Sequence, residues 1–321
     1  MNPQGGFTTA LSLDACQTEI DAVAWEAYQR PQQPGYLSAT DEWFFKQSTT
    51  EGKIGWTWDE DSNVGGFDEI DEQEELTDTD SFIGNTTNKK VQKWFKQVPV
   101  SIEAFLTDQV GKRAKIGSQI GDRARLTQDK KAIANTYGTA FVTTTNTTPD
   151  GQAWASNSHV TLKGITVDNL ELGALNADDL WTQVQSLANQ KAQDGEAGSY
   201  VFEGILTPFI LYKTAKETLN STLVPFSGEN QINFFDTVYG AVRIAASIFL
   251  GSTYNSQSNA NTSYHVLSSQ HAANRKTLRG LWTSLIPPEN TANDSHMYRA
   301  RFLEMHFPET FSGSVHSNGT A

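Results

Sequence analysis

Residues 101–124 read Ser101-Ile-Glu-Ala-Phe-Leu-Thr-Asp-Gln-Val-Gly-Lys-Arg-Ala-Lys-Ile-Gly-Ser-Gln-Ile-Gly-Asp-Arg-Ala124. Ile102, Phe105, Leu106, Val110, Ala114, Gly117, Ile120 and Ala124 recur three or four apart, the spacing that puts side chains on one face of an α-helix. Ser101 is suited to cap its start. Carried to Tyr137, the pattern predicts a helix of about 36 residues, or roughly 50 Å, longer than a small compact domain is wide. Gly111, Gly117 and Gly121 each weaken it by about 1 kcal/mol relative to Ala, so tertiary packing must hold it, and a break is expected near Leu126 to Asp129. Lys112, Arg113, Lys115, Arg123, Arg125, Lys130 and Lys131 outnumber Asp108, Asp122 and Asp129 along it. That basic bias suits an ordinary solvated face, or a surface turned toward a polyanion: nucleic acid, or an acidic segment of another copy.

Upstream, periodicity fades. Residues 1–42 hold a short amphipathic stretch, Ile20 to Tyr28, and the breaker run Arg30-Pro-Gln-Gln-Pro-Gly35, and read as an arm. Residues 43–98 read as an extended loop. Between Lys53 and Lys89 every charged side chain is acidic, and there are 11 of them, Glu72, Glu74 and Glu75 included. Such a run repels itself and resists burial. Yet Trp56 and Trp58 at period two, with Phe67 and Phe82, are too apolar for a solvated linker, so a hairpin that buries its tryptophans only on a partner is expected.

Downstream, Thr143 to Gly151 is rich in turn residues and leads into Asp150-Gly-Gln-Ala-Trp-Ala-Ser-Asn-Ser-His159. A second unit opens near Val167. Asn176 caps a helix with Leu180, Val184 and Leu187 as its stripe. Tyr200 to Leu206 reads as a strand, and Thr207-Pro208 as the cap and first residue of another helix with Phe209, Leu211 and Leu219 near its packed side. Strand and helix compete over Asn230 to Phe249. Ser252 to Ser263 reads as a loop, Tyr264 to Leu267 as a short buried strand, and Tyr298 to His306 as a further strand.

Composition narrows the function classes. The chain has 321 residues, 24 basic against 37 acidic, for a formal net charge of −13, which opposes sequence-independent binding to DNA or anionic lipid over the whole surface. A single cysteine, Cys16, forms no internal disulfide, which suits a reducing compartment. No basic and apolar leader and no apolar run of spanning length is present, so neither signal peptide nor membrane span is expected. Asp59-Glu-Asp61-Ser-Asn63 matches the opening of a calcium loop, but Val64 stands where its glycine belongs and Ile70 where its bidentate acid belongs. The six histidines are scattered without a His-Glu-x-x-His pair, and Asp294-Ser295-His296 lacks a nucleophile elbow. No phosphate-binding glycine loop occurs. The expectation is no catalytic residue, no cofactor and no metal.

Taken in order, the arm, the extended loop, the long helix ending in Ala132-Ile-Ala-Asn-Thr-Tyr-Gly-Thr-Ala-Phe141, the Asp150 to His159 passage, and Tyr200-Val-Phe-Glu-Gly-Ile-Leu-Thr-Pro208 resemble the major capsid proteins of tailed bacteriophages over residues 40 to 310. The Asp150 to His159 passage is particularly similar to the Mu-type head subunits. The resemblance implies an α+β fold: an N-terminal arm (1–42), an extended loop (43–98), a peripheral domain on the spine helix (99–166), an axial α/β domain (167–285) and a return to the peripheral domain with the tail (286–321). It also implies a late structural protein of the virion, assembled in the host bacterial cytoplasm from pentamers and hexamers into an icosahedral head. Packaged double-stranded DNA bound without sequence specificity, a portal, and scaffold or decoration proteins are the implied partners. Trp56, Trp58, Phe67, Glu72, Glu74, Glu75 and Phe82 are then the expected inter-subunit contacts, with the basic side of the spine helix as the opposite charge. An encapsulin-like compartment shell is the alternative on the same fold. A hydrolase or a calcium-dependent binding protein is the alternative from another class.

Overall fold

The computed structural model describes residues 9–30, 35–50, 52–61, 83–101, 112–144, 146–221, 233–240, 242–255, 257, 259–286 and 295–319. Side chains of the opening helix are described from residue 17. In chain order the elements are α1 (Thr9–Gln29), β1 (Lys46–Thr49), β2 (Gly55–Asp61), β3 (Ile83–Lys90), β4 (Gln92–Ser101), α2 (Lys112–Asn135), β5 (His159–Val160), β6 (Thr166–Val167), β7 (Leu170–Glu171), α3 (Ala177–Asn189), β8 (Gly204–Pro208), α4 (Tyr212–Asn220), α5 (Phe234–Tyr239), β9 (Arg243–Ser247), β10 (Tyr264–Leu267), β11 (Ala273–Ile286), β12 (Ser295–Pro308) and β13 (Ser314–Ser317).

Two sheets organise these elements. One has strand order β1-β11-β12-β4, the other β7-β13-β10-β8-β9. In the first, β12 pairs antiparallel with both β11 and β4 over most of its length. Its side chains alternate as a two-residue period demands. Tyr298, Ala300 and Phe302 join Val100, Leu281, Ile20 and Ile120 in a core beneath α1 and α2, while Met305 and Phe307 face the other way. The second sheet is buried against α3 and α4 through Leu180, Leu187, Ile205, Ala215, Val266 and Val315. A third cluster, with Phe45, Ile133, Tyr137, Trp154, Leu206 and Leu267, joins the end of α2 to this sheet. β2 and β3 form a separate antiparallel hairpin.

The long helix exists, and it is described from Lys112 onward. Its described part is 24 residues, about 36 Å, and it runs unbroken through Leu126 to Asp129. Ser101 does not cap it. That residue closes β4, opposite Ser295, because Trp94, Val98 and Val100 alternate toward the core and the ladder to β12 continues to this point. Ile102, Phe105, Leu106 and Val110 lie outside the described residues. The glycines have a packing reason: a Cβ on Gly121 would stand 2.1 Å from the Ala24 carbonyl oxygen, and one on Gly117 2.7 Å from that of Ile20. Small residues on both helices let α1 lie against α2. Asp21 of α1 further accepts hydrogen bonds from Thr283 of β11 and Tyr298 of β12. The arm residues from Ile20 onward are therefore part of the core.

Pro208 also sits elsewhere than predicted. It is the last residue of β8, paired with Ser247 of β9, at a point where the ladder to β10 has already ended at Leu206. Lacking an N–H, proline is tolerated where no ladder bond is required. A 3-10 turn, Phe209–Leu211, follows, and α4 starts only at Tyr212. Phe209 is consequently exposed, while Ala215 and Leu219 are packed as expected. Asn176 caps α3 by accepting from the Asp179 N–H at 2.9 Å, Tyr264–Leu267 is a buried strand, and both competing structures occur over Asn230 to Phe249, α5 first and then β9.

Candidate functional site

The hairpin and the sheet it rests on hold the first group of candidate residues. Trp58 is 7% exposed, stacked on Phe307 of β12 with ring centres 4.3 Å apart, and donates its indole N–H to the Glu309 carbonyl. It is buried within one chain, which corrects the expectation that both tryptophans wait for a partner. Trp56 keeps partial exposure, with the Lys276 ammonium 3.6 Å from its ring centre. Lys89 at the same end of the hairpin donates to the Asn146 side-chain oxygen at 2.9 Å, and burial holds its amine below the usual lysine range. Asp59 accepts from Thr86 within the hairpin. Phe67, Glu72, Glu74, Glu75 and Phe82 lie outside the described residues.

On α2, the side chains of Lys112 and Arg113 also lie outside the described residues. Lys115, Arg123 and Lys130 are exposed and fall within about 80° of one another on a helix of 3.6 residues per turn. Arg125 projects about 200° from Arg123, donates to the Arg30 carbonyl and lies 3.9 Å from Asp122. Lys130 lies over the Tyr254 ring. Arg123 borders a cleft of about 560 Å³ between α2 and the four-stranded sheet, walled by Trp94, Ile116, Ile120, Leu281 and Phe302.

The Asp150 to His159 passage becomes intelligible as a buried brace. Gly151 has φ +81°, a left-handed turn that glycine enters without strain. The turn points the Asp150 carboxylate at the His159 ring, 2.7 Å away, while its other oxygen accepts from Thr148 and the Gln152 N–H. Burial opposes the charge on Asp150, but the hydrogen bond and charge of His159 together with the bonds from Thr148 and Gln152 outweigh it and hold the carboxyl below its ordinary range. The second His159 nitrogen faces the Trp154 carbonyl at 3.1 Å, and the ring stacks on Phe311. Trp154, fully buried, meets His316 edge-on with centres 4.6 Å apart. His316 of β13 and His265 of β10 face each other through their Nδ1 atoms at 2.7 Å, so one donates and the other accepts. Burial pushes the His265 pKa down to about 3 and that of His316 well below the ordinary imidazole value.

A second polar centre binds the other sheet. Glu304 of β12 is fully buried and accepts from Arg275 Nε and Nη2 at 3.0 and 2.9 Å and from Gln128 of α2 at 2.7 Å. Tyr28 of α1 donates to Gln128, and Arg275 also donates to the Ala39 carbonyl. Burial opposes the Glu304 charge, but His306 and Arg275 hold its carboxyl below the ordinary range. Helix, arm and sheet are thereby tied by one buried ion pair, of the kind whose loss leaves an uncompensated charge.

Neither centre is arranged as a reaction site. Asp294 lies outside the described residues, and Ser295 and His296 are buried in β12. Among the described residues there is no group of three or more His, Cys, Asp or Glu side chains placed to hold a metal ion, and no helix long and apolar enough to cross a membrane. Sequence reasoning missed Lys93, Phe95, Arg279, Trp282, Arg299 and Arg301, which share one open sheet face. Their signal was present as Lys93 and Phe95, and again Arg299 and Arg301, two positions apart.

No family model matches the chain, and no curated protein does. Solved structures do. The capsid of Ralstonia phage GP4 superposes with a TM-score of 0.58 at 10% identity over 91% of this chain and 96% of that one. The capsid of an empty GTA particle gives 0.57 at 10% identity, covering 93% and 98%. A virus-like particle from Pyrococcus furiosus gives 0.53 at 10% identity, covering 94% and 98%. The chain has the α+β fold of these capsid subunits across nearly its whole length.

Proposed function

We propose that the chain is the structural subunit of a closed protein shell, the major capsid protein of a tailed-phage head. The observation that carries this reading is end-to-end agreement of fold, over nine-tenths or more of both chains, with the GP4 and GTA capsid structures. In this reading the four-stranded sheet with α1 and α2 forms the peripheral domain, and the five-stranded sheet with α3 to α5 forms the axial domain around the rotational axes. The hairpin carries the acidic segment with Phe67, Glu72, Glu74, Glu75 and Phe82 toward a neighbouring copy. Rotational assemblies repeat the same patches on every copy, which suits such a heterologous contact. Double-stranded DNA is the proposed content, with a portal and scaffold or decoration proteins as further partners in the virion, and the host cytoplasm as the place of assembly.

The likeness to the Pyrococcus furiosus particle favours a second reading, a compartment shell. Sedimentation velocity of the purified chain together with the nucleic-acid content of its particles separates the readings. Megadalton particles or discrete pentamers and hexamers support a shell, a stable monomer or dimer contradicts one, and particles that enclose protein while excluding DNA select the compartment.

A further inference from the structure

We infer that the cleft between α2 and the outer strand β4 is the docking groove for an amphipathic helix of a different protein, apolar along one face and acidic along its flanks. The inference stands apart from the shell reading, because it concerns a single chain and a second protein. Strand alternation turns Trp94, Lys96, Val98 and Val100 of β4 toward the helices. α1 takes the side of β11 and β12, where Asp21 meets Thr283 and Tyr298, and α2 lies over β12 through Gln128 and Glu304. The outer strand β4 is covered only in part. Trp94 and Val98 are half-buried, although they face the same way as the fully buried Tyr298 of the neighbouring strand.

The groove left there has a volume of about 560 Å³. Its floor is Leu281, Ala300 and Phe302 of the sheet, and its walls are Trp94 and Val98 on one side and Ile116, Ile120 and Ala124 on the other. From Trp94 to Val98 is about 14 Å along the strand, and from Ile116 to Thr127 about 16 Å along the helix. Three turns of helix have that length. Polar residues keep to the rim: Gln119, Arg123 and Thr127 follow one another four positions apart along the open side of α2, and Lys96 stands on β4. Phe95 borders both this groove and the hollow on the far side of the sheet, so apolar surface continues round the edge of β4, and its ring is 64% exposed.

The occupant follows from charge and from the strand edge. Arg123 and Lys96 are exposed, no ion pair engages either among the described residues, and no acid lines the groove. A chain of net charge −13 thus offers a groove whose charges are all positive, which favours an acidic partner here and not over the surface at large. A strand adding to β4 is disfavoured. Pro99 pairs with Met297 in the ladder, and proline is tolerated there because its missing N–H falls on the outer edge, where an added strand would need it. Exposed Lys93 and Lys96 oppose such pairing too. A helix makes no demand on that edge. It lays apolar side chains at i, i+3, i+4 and i+7 on the floor while acids beside them reach Lys96 and Arg123. Seated alongside α2, it continues the layer that α1 and α2 begin, at the spacing of about 8 to 10 Å between packed helices.

Titration of a labelled peptide onto the unassembled full-length chain tests this, whether or not shells form. The probe is a helix-stapled peptide of about four turns with Leu at i, i+3, i+4 and i+7 and Glu on both flanks of that stripe. Its controls are the same peptide with Lys for every Glu and one of scrambled order. The acidic peptide is expected to bind at least about tenfold more tightly than either control and to weaken as salt rises from about 0.1 to 1 M. It should lose at least about tenfold in Lys96→Glu, Arg123→Glu, a variant on which the lysine peptide gains, because the charges have been exchanged. Ala124→Phe, which fills the groove and leaves the rim charges in place, is expected to weaken the acidic peptide as well. Equal affinity for acidic and scrambled peptides, or equal binding by wild type and both variants, overturns the inference. So does loss of binding in Arg279→Glu, Arg299→Glu, Arg301→Glu, on the opposite sheet face, with none in Lys96→Glu, Arg123→Glu. Should the double variant lose the wild-type circular dichroism spectrum, Arg123→Glu alone gives the same direction of effect, and its unchanged affinity counts against the groove. Two other occupants have their own signatures. Probe binding that tightens at least about tenfold in Phe105→Ser, Leu106→Ser would show that the chain's own residues fill the groove, and a dimer of the unassembled chain that Arg123→Glu dissociates would assign it to a second copy. Either result overturns the proposal.

Discussion

The six histidines are the residues whose surroundings say most about this chain's conditions of use, since all are buried, at 5% exposure or less. Burial holds His265 down to about 3 and depresses His271 and His316 as well. The folded state therefore keeps His265, His271 and His316 neutral, while in the unfolded chain these three take up protons below about pH 6.5. Folded-state pKa values below the unfolded ones mean stability that is present above about 6.5 and is lost as pH falls from there toward the folded values. Urea midpoints should accordingly drop steadily between pH 7 and pH 5, before the lowered carboxyls of Asp150 and Glu304 join in nearer pH 4. Equal midpoints at pH 7 and pH 5 would contradict this. Trp58 supplies a second expectation. Because it is stacked and hydrogen-bonded within one chain, Trp58→Ala should lower the stability of the unassembled subunit by about 3 to 5 kcal/mol. A change under 1 kcal/mol in chemical denaturation would show that the ring contributes little until assembly. The histidine and Asp150 pattern was visible in the sequence as spacing, but its meaning was not. The bonds from Asp150 to His159 and from His265 to His316 span 9 and 51 positions and depend on sheet pairing.

At the level of elements, local chemistry was legible wherever a residue acts on its neighbours. Asn176 caps α3 and Tyr264–Leu267 forms a strand because side chain and backbone interact within a few positions. Where distant partners decide, the reading slipped. A helical period begins at Ser101 in the sequence, yet β12 claims that residue for its ladder, and Pro208 reads as a helix start until β9 is known to lie beside it. The glycines of α2 looked like points of weakness and are instead the places where α1 comes closest. Gly121→Val places a side chain where a Cβ already stands 2.1 Å from the Ala24 carbonyl and 2.9 Å from the Ala27 Cβ. Overpacking of this kind costs about 1 to 3 kcal/mol. Hydrogen exchange in residues 17–29 should rise in that variant while β10 and β13 stay protected. Unchanged protection of α1 would mean that the helix pair tolerates separation at no cost.

For the whole molecule, the order of features along the chain, an arm, an extended loop and then a long helix, carried the fold class, while the packing of arm and helix against the sheet became visible only in the structure. The acidic run is contiguous in sequence, whereas the cations of β4, β11 and β12 share a face only once those strands are in register. An exposed Phe95 and four cations on one sheet face are surfaces that a monomer leaves unused. The central claim, that this chain closes into a shell, is tested most directly by electron microscopy of the purified full-length protein at neutral pH and low salt. Icosahedral particles whose reconstructed subunit shows α2 and the two sheets are the predicted result, and a field of monodisperse small oligomers with no closed or capsomer-like assemblies would contradict it.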